Sequence, residues 1–169
     1  MPDLLYPLPM FRFWVDFDEA RLSGSSNASI PLCGGAFSDC TGLEATMEPK
    51  VIKEGGRNYG SAQRVGTVTF ATVILKRGMT TSRDLWRWFE IASLQGAYTY
   101  RLTVTITLFD TAGDGVMSWQ LDKALPVKFK SADFNAKSTD IGIEELHLAH
   151  EGLRLLDIPR RFSLSGVGG

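Results

Sequence analysis

Residues 42–78 read GLEATMEPKVIKEGGRNYGSAQRVGTVTFATVILKRG, and the fold turns on how this stretch divides. Thr67–Leu75, rich in Val, Thr and Ile, reads as a strand. The residues before it start like a strand at Gly42 and then change character. Lys50–Gly66 mixes lysine, glutamate, arginine and glycine. It is too polar for a core and too long for a hairpin turn. The pattern predicts a small β-domain carrying an extended arm over residues 48–66.

On either side of this stretch the chain is dominated by alternation. Met10–Asp18 (MFRFWVDFD) reads as a first strand, with Phe11, Phe13, Val15 and Phe17 on one face and Arg12, Trp14, Asp16 and Asp18 on the other. Glu19–Gly35, with SGSSNAS and CGG inside it, reads as a surface loop. Ala36–Met47 reads as a second strand bent at Gly42. Thr80–Gly96 holds the one clear helix, about residues 81–95. Leu85, Trp88, Phe89 and Ala92 recur at helical spacing, which makes the tryptophan stripe core packing. Thr81 or Ser82 is placed to cap it, with Asp84 completing a capping box.

Arg101–Phe109 (RLTVTITLF) is the cleanest strand, with Leu102, Val104, Ile106 and Leu108 opposed to Thr103, Thr105 and Thr107. DTAGDG at 110–115 is a hairpin turn. Val116–Lys130 gives one or two further strands, with Pro126 at an edge or interruption. Ser138–His150 alternates, but Ile141 and Ile143 have the opposite parity to Leu146 and Leu148, which predicts a bulge near Glu144–Glu145. Leu153–Leu156 is a short last strand, and residues 157–169 read as a loose tail. The sum is a mainly β chain: a six- to seven-stranded antiparallel barrel or sandwich, with one helix plugging an end, in a single domain over residues 1–169.

The chain has 169 residues, 44% hydrophobic and 22% charged, with a formal net charge of -1. That balance argues against a basic groove gripping nucleic acid. The N-terminal MPDLLYPLPMFRFW lacks a basic region followed by an apolar run, so it does not read as a secretion signal. No apolar run has the roughly 18 residues a membrane helix needs. A disulfide, half a metal site and two free thiols all fit the spacing of Cys33 and Cys40. The missing secretion signal favours free thiols.

Catalytic constellations are not evident. DTAGDG starts like a calcium loop, but Ala112 and Leu121 fall where oxygen ligands are required. His147 and His150, three apart in a strand, point to opposite faces, and no C-x2-C completes a metal site. Glu144 and Glu145 are neighbours in a strand and point apart, so they form no acid–base pair. No G-x-S-x-G occurs, and Gly55–Gly60 lacks the spacing of a phosphate loop. These patterns predict no enzyme activity, no cofactor and no metal, which leaves binding or assembly. The Thr103, Thr105 and Thr107 face is small, uncharged and polar. It suits a surface that stays solvated and holds no ligand tightly, or simply the wet side of a sheet.

The order of segments carries a family resemblance. It runs from YPLPMFRFWV through FSDCTGLEATMEPKVIKEGG, VTFATVILKRG and DLWRWFE to FDTAGDGVMSWQLDKALPVKF, FNAKSTDIGIEELHLAHEGL and Leu155. In this order the chain resembles the tail tube proteins of contractile phage tails and of extracellular contractile injection systems. The resemblance covers about Tyr6–Leu156. It implies a structural subunit of homo-hexameric rings that stack into a hollow tube inside a contractile sheath. The implied partners are copies of itself, the sheath protein, baseplate or spike and tube-terminating proteins, and DNA or protein cargo in the lumen. The implied location is a particle assembled in the bacterial cytoplasm. A secreted type VI-like effector carrier, a tube-end paralogue, and a monomeric barrel with a small-molecule site are the competing readings. On the tube reading, Lys50, Lys53, Glu54, Arg57, Asn58 and Tyr59 are the expected contacts between rings or subunits. Thr103, Thr105 and Thr107 are the expected lumen face.

Overall fold

A computed structural model describes residues 12–19, 37–56, 59–94 and 101–157. In chain order the elements are β1 (Phe13–Glu19), β2 (Asp39–Thr41), β3 (Ala45–Met47), β4 (Lys50–Ile52), β5 (Ala62–Arg64) and β6 (Val68–Phe70). There follow β7 (Val73–Gly78), α1 (Asp84–Leu94), β8 (Leu102–Phe109), β9 (Gly115–Lys130), β10 (Ile143–Ala149) and β11 (Gly152–Leu156). The expected loop at 19–35, the tail at 157–169, Phe11, Cys33, Arg57 and Asn58 lie wholly or almost wholly outside the described residues.

Seven strands form one antiparallel sheet in the order β1-β8-β9-β10-β7-β2, with β11 beside the first half of β9. The path ends at β1 and β2, which do not pair with each other among the described residues. A closed barrel is therefore not formed. The sheet folds over on itself instead, and β9 is where it folds. Its first half pairs with β8 and β11, and its second half pairs with β10. Between Leu102–Ala124 and Val104–Leu121 the register slips by one residue, a bulge at Asp122–Lys123. Lys123 takes φ of 49°, a left-handed conformation that non-glycine residues seldom adopt. The extra residue lets both Leu121 and Ala124 point into the core, and it bends the strand.

The core is what the alternation predicts. Val15, Val104, Ile106 and Leu121 come from one half of the sheet, and Val73, Leu75, Leu146 and Leu148 from the other. Leu85 and Trp88 of α1 fill the space between. Phe17 packs edge-on against Trp88 at 5.7 Å and against Phe37 at 6.2 Å. Trp86, at the rim of the helix, remains 43% exposed and stacks on Phe89. Burying a large apolar side chain contributes roughly 1.5–3 kcal/mol, so this cluster dominates stability.

The structure departs from the sequence reading in three places. Ala36–Met47 is not one bent strand. It breaks at Gly42 into β2, paired with β7, and β3, paired with β6. Gly42 has φ of +88°, and a Cβ there would collide with the Thr72 carbonyl. Thr67–Leu75 likewise splits at Ala71–Thr72 into β6 and β7, and only β7 belongs to the main sheet. Finally, no bulge sits at Glu144–Glu145. Glu144 shares the buried face with Leu146 and Leu148, whereas Ile141 and Ile143 face outward. The register slip lies between His147 and Leu148, opposite Pro126 of β9.

Glu144 is inside because it has a partner there. Arg77 of β7 is buried and reaches Glu144 through Nε at 3.1 Å and Asp84 through Nη2 at 2.6 Å. Burial alone would lower the Arg77 pKa, but the hydrogen bonds and charges of Asp84 and Glu144 outweigh it and the net shift is upward. Burial alone would raise the Asp84 pKa. The Arg77 hydrogen bond and charge, with Ser82 and the Leu85 N–H, hold that carboxyl below its usual range instead. Asp84 opens the helix, where a negative charge also suits the helix dipole.

Removing Arg77 leaves two buried carboxylates without a cation. Arg77→Ala is expected to cost about 3–5 kcal/mol, read as a fall in the midpoint of chemical denaturation. Lys76→Ala, at a partly exposed ion pair with Glu145, is expected to cost about 1 kcal/mol or less. Because the folded-state pKa of Asp84 is depressed, its contribution is complete above the unfolded carboxyl value, about pH 4. It is lost as pH falls through the lower folded value. Acid titration of wild type should show this loss below about pH 4 and Asp84→Asn should not.

Candidate assembly site

The arm is a hairpin rather than a loop. It continues the β2–β7 pairing outward as two short ladders, β3–β6 and β4–β5. Ala45, Thr46 and Met47 face Phe70, Thr69 and Val68, and Lys50, Val51 and Ile52 face Arg64, Gln63 and Ala62. The two ladders are linked by Glu48 N–H donating to the Thr67 carbonyl at 3.2 Å. Gly66 lies against Glu48, and a Cβ there would collide with its carbonyl. The length that ruled out a turn is therefore used in strand pairing.

Most of the arm is exposed, and its apolar residues are exposed with it. Tyr59 is 95% and Val65 78% accessible, and Met47, Val51 and Val68 are also largely in solvent. Lys50, Lys53 and Glu54 are exposed. The structure thus brings Lys50, Lys53, Glu54 and Tyr59 together on one projecting element. Arg57 and Asn58 fall outside the described residues.

Thr103, Thr105 and Thr107 are on the sheet face opposite the core, as their alternation requires. They sit in register with Asp18, Asp16 and Trp14 of β1, and Thr105 and Thr107 with Gln120 and Ser118 of β9. Thr107 and Ser118 exchange a hydroxyl hydrogen bond at 3.2 Å. Arg154 of β11 adds an ion pair to Asp122 at 2.8 Å. On these four strands the threonines thus lie among charged neighbours, Asp16, Asp18, Asp122 and Arg154, and beside Trp14. The outer two of the four, β1 and β11, each pair on one side only among the described residues.

The remaining candidates resolve as structural features. Asp110 Oδ1 accepts from the Ala112 and Asp114 N–H groups at 2.9 and 3.0 Å, closing the β8–β9 hairpin. His147 pairs with Glu145 at 3.3 Å. His150 Nδ1 meets the Gly152 carbonyl at 2.9 Å, and its ring lies 5.2 Å from Phe70. Glu145 is held below its usual pKa by the His147 hydrogen bond and by Lys76 and Lys130. Burial pushes the Cys40 thiol up to about 11, which leaves it protonated and unreactive at neutral pH. Among the described residues no three His, Cys, Asp or Glu side chains gather to hold a metal. No described helix is long and apolar enough to cross a membrane.

Two features escaped the sequence reading. One is the buried Arg77 pair of carboxylates, which the parity of Glu144 with Leu146 and Leu148 would have revealed. The other is a groove of about 520 Å³ along the β9–β10 connection, beside the ends of β7 and β10. Phe134 and Ile141 stand 86% and 77% exposed at its rim. No periodic signal marks it, because residues 131–142 form no regular element.

The described residues thus present a projecting hairpin and a polar sheet face whose outer strands pair on one side only. The model of the T4-like virus tail tube protein gp19 family matches residues 9–154, and the chain belongs to that family. The family is one of structural tail tube proteins. Among solved structures it is similar to a chain of the anti-feeding prophage (AFP) baseplate. There the identity is 27%, the TM-score 0.76, and the match covers 90% of this chain and 97% of that one. A chain of the PVC sheath–tube complex of an extracellular contractile injection system matches at 24% identity and TM-score 0.71, over 92% and 95% of the two chains. A type six secretion system protein shares the fold at 11% identity and TM-score 0.54, over 86% and 82%. No curated protein matches the chain.

Substituting Gly66 tests whether the arm folds separately from the core. Gly66→Val should break the β3–β6 and β4–β5 ladders, seen as faster amide exchange at Met47, Val51 and Gln63. Exchange in β8 and β9 should change little, since the arm shares few contacts with the core cluster.

Proposed function

We propose that this chain is the repeating subunit of hexameric rings that stack into the inner tube of a contractile injection apparatus. The observation that carries the reading is the family match over residues 9–154. In the proposed ring, the outer edges of β1 and β11 continue the sheet into neighbouring copies, so their unpaired backbone groups are satisfied. Six copies of the threonine face then make one wide barrel with a polar lumen. Thr103, Thr105 and Thr107 line it, offering hydroxyls that wet the surface without holding DNA or protein cargo.

The arm makes the contacts between rings, through Lys50, Lys53, Glu54, Arg57, Asn58 and Tyr59. Charged groups at such a contact set register and orientation more than affinity. The sheath surrounds the tube, and baseplate and terminator proteins bound its ends. Assembly takes place in the bacterial cytoplasm, and the chain acts without catalysis.

Class averages of the purified protein, alone and with its sheath and baseplate components, test this. Six-fold rings or tubes are the expected result, and monomers alone at high concentration would overturn the reading. Lys53→Glu with Arg57→Glu should leave the melting temperature within a few degrees and still give rings, but shorten or abolish tubes. Full-length tubes from that variant would remove the arm as the stacking element.

A further inference from the structure

We infer that the arm of one copy seats in the groove of the β9–β10 connection of a copy in the next ring, Tyr59 and Val65 against Phe134 and Ile141. This deepens the stacking reading and rests on it. Three observations support it.

The first is position. The arm leaves the sheet where β2 ends and β7 begins, at Gly42 and Val73. The groove lies at the opposite end of β7, where the Met79 N–H donates to the Gly142 carbonyl at 2.8 Å. These ends are separated by the length of β7, roughly 17 Å at 3.3 Å per residue. From Ala45 to Lys53 the extended arm spans up to roughly 26 Å. A projection at one pole and a recess at the other make a head-to-tail contact that repeats by translation. Such a contact cannot close on itself within one chain pair, and it suits rings stacked along an axis.

The second is surface chemistry. Phe134, Ile141, Ile143 and Met79 are the exposed apolar residues around the groove. Phe134 and Ile141 show more of their surface to solvent than any other large apolar residue described except Tyr59 and Val65, both of the arm. An exposed apolar patch rimmed by polar groups marks an interaction surface. The arm and the groove are the two such patches with complementary shape, one a ridge and the other a recess.

The third is charge. The groove is lined by three carboxylates, Asp133, Asp140 and Glu145, and one amine, Lys130, and Glu145 already pairs with Lys76 and His147. That leaves two carboxylates, Asp133 and Asp140, to one amine on the rim. Lys50 and Lys53 of the arm are exposed amines with no ion pair among the described residues. Docking the arm places these amines over those carboxylates, which orients the contact.

A charge exchange reads this directly. Lys50→Glu with Lys53→Glu, and separately Asp133→Lys with Asp140→Lys, should each leave rings intact and lower the stacked fraction by roughly tenfold or more in sedimentation velocity. Combining all four changes should restore tubes in micrographs. If the combination stacks no better than the worse parent, while wild type forms tubes, the arm does not meet this groove. A photo-reactive phenylalanine at Tyr59 gives an independent reading. Cross-links to peptide 131–143 of another copy support the contact, and cross-links confined to other segments overturn it. If wild type forms neither rings nor tubes, the stacking reading itself fails, and this contact with it. Circular dichroism of each variant confirms that the substitutions, all at exposed residues, leave the fold unchanged.

Discussion

The buried Arg77 guanidinium ties the helix to two strands that are already paired with each other. It lies on β7, reaches Glu144 on β10 and Asp84 at the start of α1, and its charge sits 5.8 Å from the Phe37 ring. An apolar core fixes volume but tolerates sliding and repacking. A guanidinium with two carboxylates tolerates neither, because any displacement leaves a charge desolvated and unpaired. The helix therefore has one seat over the sheet, and β7 has one register against β10. The arm joins the start of β7 and the groove of the β9–β10 connection lies beside its end, so this cluster also sets the relation between the two surfaces on which assembly is proposed.

The second constraint is the bend in β9. A sixteen-residue strand that stayed straight would carry its pairing partners apart and leave one face of each half uncovered. The bulge at Asp122–Lys123 lets one strand serve both halves of the sheet around a common core. Lys123 takes the strained backbone conformation, and it pairs with Glu151, which also meets Arg101. Strain in a single residue is small beside the burial it permits. The result, among the described residues, is an open, folded sheet whose outer strands pair on one side only, whereas a closed barrel would have no edge to offer a neighbour.

Much of the fold follows from patterns in the chain. The alternation of Leu102, Val104 and Ile106 with three threonines, the helical spacing of Leu85, Trp88 and Ala92, and the Asp110 turn each predict what the structure contains. These are local periodicities, and a residue's side of a strand or helix depends on nothing distant. The segment order that carries the tail tube resemblance is equally a property of the chain alone. What failed were predictions that assumed a strand keeps one partner. Ala36–Met47 and Thr67–Leu75 look continuous, yet each divides between the main sheet and the arm, because hydrogen-bond partners are set across the chain. The bulge expected near Glu144–Glu145 failed for a related reason. Glu144 lies on the buried face with Leu146 and Leu148, where Arg77, 67 residues away, pairs with it.

The candidate surfaces divide in the same way. The chemistry of the arm, its lysines, Glu54 and Tyr59 among glycines, is plain from residues 48–66, and so are the uncharged side chains of Thr103, Thr105 and Thr107, whereas the placement of Asp16 and Asp18 beside them is set by the β1–β8 register. Sequence periodicity could say that these residues avoid the core, since polar and alternating patterns record contact with water. Nothing in the chain announces the groove at 131–142, or that it opens at the far end of β7 from the arm. Those depend on where the irregular connection packs and on which end of the hairpin projects. Local pattern therefore determined the parts and their exposure. Long-range pairing, enforced by buried charge and by the bend in β9, decided their arrangement in space.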